Sequence, residues 1–160
     1  MPFDYEKYVD TIQYCELEND LETLKAGDQT EIGEKGVNLS GGQKARLGLA
    51  RAVYADKEIY LMDDPISALD AHVRKQIINN VYFGILKDRT RILVTHAIDF
   101  LNKADHIIMM DQGRIKAQGT YEELEKLKEF SDLMDLNQIN KKMKKEKTTS
   151  KTKSTMSTTL

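Results

Sequence analysis

Ser40-Gly41-Gly42-Gln43, followed by Lys44-Ala45-Arg46, carries the strongest chemical signal in this sequence. A serine with a glutamine three residues on is a capping-box pattern, so the stretch predicts a glycine turn feeding straight into a helix. Gly41 and Gly42 carry no Cβ, which lets another molecule approach the backbone closely. Unpaired N–H groups at a helix start, with roughly +0.5 of dipole charge, make an anion site, and the expected anion is a phosphate. A Ser-Gly-Gly turn can also open a helix that binds nothing, so the downstream sequence has to decide. There the apolar run Glu58-Ile59-Tyr60-Leu61-Met62 ends in Asp63-Asp64-Pro65, and a second run, Ile92-Leu93-Val94-Thr95, ends at His96. A buried strand that stops at carboxylates presents acids at the C-terminal edge of an α/β sheet. An aspartate such as Asp63 is suited to holding Mg²⁺ beside phosphate oxygens; its alternative role is a turn or cap. An imidazole such as His96 can donate to a phosphate and position water; its alternative role is structural.

These groups need elements to hold them. Residues 4–15 read as an amphipathic helix capped by Asp4, with Tyr8, Val9, Ile12 and Cys15 inward. A short helix is expected at 17–24, a glycine-rich loop at 25–38, and the main helix at 41–55. Strands are expected near 58–62 and 91–95, with a helix at about 70–82 between them and a short one near 98–103 after them. Residues 106–110 and 114–118 form an expected hairpin around Asp111-Gln112-Gly113. Thr120-Tyr121-Glu122-Glu123 is a second capping box, opening a helix to about 128, with another over 129–136. Strands separated by helices predict an α/β fold with a largely parallel sheet. After Asn140 the chain turns to Lys, Thr and Ser, a composition expected to be disordered.

The order of these elements resembles the ATP-binding domain of ABC transporters. Leu39, Ser40, Gly41, Gly42 and Gln43 match the family's signature motif, Ile59 to Asp63 its Walker B strand, Ser67, Ala68, Leu69 and Asp70 its D-loop, and His96 its switch histidine. The words Gly33-Glu34-Lys35-Gly36-Val37-Asn38, Asp63-Asp64-Pro65-Ile66-Ser67-Ala68 and Asp70-Ala71-His72-Val73 resemble more particularly the first nucleotide-binding domain of the C subfamily, the multidrug-resistance-associated exporters. The resemblance covers about residues 2 to 135. It implies a partial P-loop NTPase domain of ABC type. A helical signature-bearing subdomain would span 1–56, the Walker B, D-loop and H-loop part of the ATPase core 57–136, and a disordered linker 137–160.

The resemblance also implies the chemistry. ATP and Mg²⁺ would be the cofactors. Leu39 to Gln43 would bind nucleotide held by the P-loop of a second nucleotide-binding domain packed head to tail, with Ser67 to Asp70 at the interface. Asp63 would hold Mg²⁺, and Asp64 and His96 would be catalytic. Most family members carry glutamate at the Asp64 position as general base. Aspartate is one methylene shorter, and in the C subfamily it goes with a weakly hydrolysing site. Misplacing a catalytic group by about 1 Å can cost ~100-fold. No Gly-x-x-x-x-Gly-Lys-Ser/Thr loop occurs in the sequence, so the β- and γ-phosphate cradle is missing. The chain alone is therefore expected to hydrolyse no ATP and to bind it weakly. The leading reading is the C-terminal part of an exporter's nucleotide-binding domain, at the cytosolic face of a membrane and coupled to transmembrane domains outside this chain. The alternative is a non-catalytic module that pairs with a complete domain and regulates it. A soluble ABC-type ATPase of repair or translation fits the Asp-Asp-Pro wording poorly.

Composition bounds the remainder. The 160 residues suit one domain, with 40% hydrophobic and 31% charged residues to build an ordinary core and surface. A sheet lacking its first strands would leave apolar edges uncovered. The single cysteine, Cys15, excludes an internal disulfide and is expected to be a packed thiol. No apolar run reaches the ~20 residues of a membrane span, and Asp4 and Glu6 spoil a basic leader. Residues 141–160 hold seven lysines and one glutamate, or +6, which leaves −8 for the remainder of a chain of net charge −2. That acidic body argues against nucleic-acid binding. The basic tail reads as a solvated linker or as a contact with anionic lipid. Arg46 and Arg51 follow on the main helix, and Arg51 reads as paired structurally rather than as a phosphate ligand. His72 is expected on a helix surface and His106 at a strand start.

Overall fold

A computed structural model describes residues 3–33 and 39–136. Two compact units divide the chain, residues 1–97 and 98–160. The Lys-, Ser- and Thr-rich stretch expected to be a disordered linker and the loop at 34–38 lie outside the described residues.

The first unit opens with three helices. Helix α1 (Tyr5–Tyr14) starts where the Asp4 side chain accepts the N–H of Lys7. Its inner face holds Cys15, which is fully buried, and Thr11 takes the inward place expected of Val9. The Thr11 hydroxyl donates to the Lys7 carbonyl at 2.7 Å, which lets a polar side chain sit there at little cost. Burial, with a smaller push from Glu16, raises the Cys15 thiol to about 12, so it is a packed rather than a reactive group. Helix α2 (Glu18–Thr23) follows almost directly, and helix α3 (Gly41–Ala55) is the longest element, burying Leu49, Ala50 and Val53.

Strand β1 (Ile59–Asp63) and strand β2 (Thr90–Val94) pair in parallel, with Ile59 opposite Thr90 and Asp63 opposite Val94. Helix α4 (Ala71–Ile77) lies between them in sequence and continues over Ile78–Ile85 as a π-helical stretch. The expected helix over 70–82 is thus present but changes winding at Ile78. Two features favour the wider turn. A Cβ at Gly84 would stand 3.0 Å from the Asn79 carbonyl oxygen, so only glycine admits that approach comfortably. The Tyr82 carbonyl also takes a hydrogen bond from the Arg91 guanidinium on β2. π turns of this kind are rare and sit where a local constraint overrides the α ladder.

The second unit contains the expected hairpin. Strands β3 (Ile107–Asp111) and β4 (Arg114–Gly119) are antiparallel, with an irregularity between Met109 and Met110. Gln112 and Gly113 both have positive φ, as a tight hairpin turn of primed type requires. Thr120 and Glu123 make the expected capping box, but helix α5 (Tyr121–Leu124) stops after one turn, and a further helix runs over 128–136. Ile107, Leu124 and Phe130 form this unit's core, with the Tyr121 ring edge-on to Phe130.

Among the described residues the architecture is therefore mixed α/β, with one small parallel and one small antiparallel sheet where a largely parallel one was expected. Parallel sheets are ordinarily covered on both faces. Here Tyr60 and Met62 are buried, whereas Ile59 (60% exposed), Leu61 (76%), Ile92 (56%) and Val94 (59%) leave the opposite face in contact with water. That uncovered face subtracts hydrophobic stabilisation at about 25 cal/mol per Å². The purified 160-residue chain should therefore show no cooperative thermal transition above about 60 °C by calorimetry, near the upper end for ordinary domains. A sharp transition above that temperature would mean that the sheet face is covered in solution.

Candidate nucleotide site

Helix α3 begins at Ser40, whose extended backbone turns the chain into the helix. The Ser40 hydroxyl oxygen accepts the Gln43 N–H at 3.2 Å, and Gln43 Oε1 accepts the Ser40 N–H at 2.9 Å. Helix geometry leaves the N–H groups of Gly41 and Gly42 without intrahelical acceptors. The Gln43 carboxamide is committed at both ends, because its Nε2 donates to Asp20 Oδ1 at 3.2 Å. Arg46, one turn on, donates from Nε (2.9 Å) and from a terminal nitrogen (2.5 Å) to Asp20 Oδ2. Both side chains are largely buried, 12% and 15% exposed, so removing either partner would strand a poorly hydrated charge. The Arg46–Asp20 pair was not assigned from the sequence, whereas Arg51, the arginine expected to be paired, is exposed. Asp20 did not stand out in the sequence. Its neighbours Glu16, Glu18 and Glu22 have the same local character, and only the folding of α2 against the start of α3 distinguishes it.

The two glycines are not equivalent. A Cβ at Gly41 would lie 3.8 Å from the Ala68 Cβ, an ordinary contact. One at Gly42 would lie 3.4 Å from the Ala68 carbonyl oxygen and 3.8 Å from Leu69 Cδ2. The glycine turn therefore packs against the loop that follows β1 in the same chain. Gly42 sits closer to that loop than Gly41 does, and a Cβ at either position would make van der Waals contact with it.

That loop begins at Asp64, which adopts a left-handed backbone with φ +43°, a conformation aspartate tolerates better than most residues. Its N–H donates to the Val94 carbonyl at 2.8 Å, extending the β1–β2 pairing by one residue. Its carbonyl accepts from the Ser67 hydroxyl at 3.0 Å. Its carboxylate accepts from the Thr95 hydroxyl at 3.4 Å. Asp63 is exposed at the end of β1, and His96 is exposed at the bend just after β2. The parallel register brings the ends of both strands together, so Asp63, Asp64, Thr95 and His96 share one sheet edge. Thr95 is a partner for Asp64 that the sequence did not single out.

The loop closes at Asp70, which caps α4. Its Oδ1 accepts the N–H groups of His72 (2.9 Å) and Val73 (3.1 Å). The Val73 N–H chiefly, then that of His72, holds the carboxyl below its ordinary value. His72 is exposed on the first turn of α4, and His106 stands just before β3. Among the described residues no group of three His, Cys, Asp or Glu side chains is placed to hold a metal by itself. No helix among them is long and apolar enough to cross a membrane.

The family model "ABC transporter" matches residues 5–67, from α1 through the loop after β1. Multidrug resistance protein mrp-7 of Caenorhabditis elegans is 53% identical over 127 residues, 78% of this chain and 8% of that protein. ABC transporter C family member 8 of Dictyostelium discoideum is 55% identical over 122 residues, 74% of this chain and 8% of that protein. The ABC-type transporter cicA of Emericella nidulans is 50% identical over 124 residues, 78% of this chain and 9% of that protein. The chain belongs to the C family of ABC transporters, as a portion of a nucleotide-binding domain. It spans about a twelfth of the length of these relatives. Within that ABC-transporter portion, the signature turn, the β1 terminus, the loop to Asp70 and His96 all lie in the first compact unit.

The Asp70 cap yields a pH prediction. A carboxyl whose folded pKa is depressed contributes stability that is fully present above its unfolded value, about 3.9, and is lost as pH falls through the folded value. Asp70→Ala should destabilise the chain by about 1 kcal/mol at pH 7. Urea unfolding of both proteins from pH 7 down to pH 2.5 should show that gap closing only below about pH 4.

Proposed function

We propose that this chain is the C-terminal part of the nucleotide-binding domain of an ABC exporter, in which ATP binding and hydrolysis drive transport across a membrane. The observation that carries this reading is the mouth of α3, where a complete capping box forms and the N–H groups of Gly41 and Gly42 have no intrahelical acceptor. In a chain without a P-loop, such a donor set acts on a nucleotide gripped elsewhere. Leu39 to Gln43 would complete the ATP site of a partner nucleotide-binding domain, with Ser67 to Asp70 at the same interface. Gln43, held by Ser40 and Asp20, shapes the turn rather than touching phosphate.

Asp63, Asp64 and His96 would serve a second ATP site. Mg²⁺ is commonly held through one or two carboxylates together with substrate phosphates, so a single exposed Asp63 suits it without a three-residue cluster. When bound, the ion neutralises charge on the phosphate oxygens. Asp64 would accept the proton of the attacking water, and His96 would donate to the terminal phosphate. Asp64 is handicapped as a base. It is a methylene shorter than glutamate, and the Thr95 hydroxyl occupies one of its oxygens. Transmembrane domains and a second nucleotide-binding domain are the partners this reading requires.

Two measurements test it. The purified chain should hydrolyse no ATP, and calorimetric titration should find no sub-millimolar affinity; either activity in the isolated monomer would contradict the reading. In membranes carrying the exporter that contains this chain, Asp64→Glu should raise ATP turnover several-fold, toward the ~100-fold that a 1 Å repositioning can recover. Unchanged turnover would remove Asp64 from the base role.

A further inference from the structure

We infer that Asp20 is a positioning residue for the signature turn, fixing the orientation of the Gln43 carboxamide and thereby the capping box that shapes the turn bearing Ser40, Gly41 and Gly42. The inference rests on the signature-turn reading proposed above and adds to it a residue outside the motif, on a different helix.

The argument is one of hydrogen-bond polarity. A glutamine side chain has one carbonyl oxygen and one NH₂ group, and a 180° flip exchanges them. The capping box works only with Oε1 toward the Ser40 N–H, as observed at 2.9 Å. In the flipped state two donors would face each other and the box would open. Within the box only the single Ser40 N–H opposes the flip. Asp20 adds a second and charged constraint, because an ionised carboxylate accepts and cannot donate. Its Oδ1 takes the Nε2 hydrogen at 3.2 Å, so the NH₂ end is held on the side away from Ser40.

Arg46 fixes the carboxylate in turn. Two guanidinium nitrogens reach Oδ2 at 2.9 and 2.5 Å, leaving Oδ1 for Gln43. Charge-assisted bonds of this geometry are about twice as strong as neutral ones and are oriented by the planar guanidinium. A terminal nitrogen of the same Arg46 would be 3.7 Å from a Cβ at Gly42, so the guanidinium also underlies the turn. Asp20 thus uses both oxygens on the third and sixth residues of α3. A purely structural tie between α2 and α3 would need only the Arg46 pair. The bond to Gln43 is the one that reaches the donor set.

The test uses the exporter containing this chain and reads ATP turnover per assembled molecule, with assembly measured by size-exclusion of the solubilised protein. Asp20→Ala should lower turnover about tenfold, the scale of losing a hydrogen bond to a charged group. A polarity swap separates positioning from packing. Gln43→Glu keeps the acceptor that the capping box needs but sets two carboxylates against each other, so turnover should fall. Adding Asp20→Asn to Gln43→Glu supplies a donor in place of the lost acceptor and should recover at least fivefold of that loss, about 1 kcal/mol by the tenfold-per-1.4 kcal/mol conversion. Full turnover in Asp20→Ala, or a double variant no better than Gln43→Glu at equal assembly, would overturn the inference. Gly41→Val, where the structure leaves room, serves as the control. If Gly41→Val abolishes turnover while Asp20→Ala leaves it intact, the signature-turn reading stands and the role of Asp20 fails. If Gly41→Val also leaves turnover intact, the signature-turn reading itself fails.

Discussion

The parallel pairing of Ile59–Asp63 with Thr90–Val94 is the constraint on which the site depends. Parallel strands end on the same side, so one register places the Asp63-Asp64 pair beside Thr95 and His96. The pairing continues one residue past the strand, through the Asp64 N–H to the Val94 carbonyl. That last bond holds Asp64 in a left-handed conformation and turns the chain sharply into the loop leading to Asp70. The same loop then passes beneath the glycine turn at the start of α3, where Ala68 and Leu69 meet Gly42. Strand ends, loop and helix mouth form one continuous packed path rather than separate motifs.

Much of this was legible in the sequence because it is local. A capping box spans four residues, and both Ser40–Gln43 and Thr120–Glu123 form as written. The two strand positions and the hairpin turn fall within a residue or so of expectation, since apolar runs bounded by turn residues leave little freedom. The parallel arrangement of β1 and β2 follows from the intervening helix. Identity of the family was legible for a different reason: the motif words are long enough to be distinctive, and relatives at 50–55% identity bear them out.

What was not legible is non-local. Asp20 meets Gln43 and Arg46 across more than twenty residues, and no periodicity or composition singles it out. Thr95 meets Asp64 across thirty-one residues in the same way. The widening of α4 into a π turn depends on Gly84 approaching Asn79 and on Arg91 reaching the Tyr82 carbonyl from another strand. Helical periodicity over 70–82 does not report either contact. Inward Thr11 in place of Val9 has the same origin, since the burial face of α1 is set by what packs on it.

The glycine turn illustrates why motif residues need their geometry before roles are assigned. From sequence, Gly41 and Gly42 share one explanation, close approach by a phosphate. In the folded chain a Cβ at Gly42 would meet the Ala68 carbonyl oxygen at 3.4 Å, the near edge of ordinary contact, so substitution there touches the loop that follows Asp64 as well as any nucleotide contact. Gly41 faces only ordinary van der Waals contact, and its substitution reads the donor surface more directly. Gln43 moves in the opposite direction. It belongs to the motif by spelling, yet its side chain has both ends committed within the chain, to Ser40 and to Asp20. On the function proposed above, the chemistry of the turn would fall on backbone N–H groups and one hydroxyl, and the glutamine would serve to shape the turn that presents them.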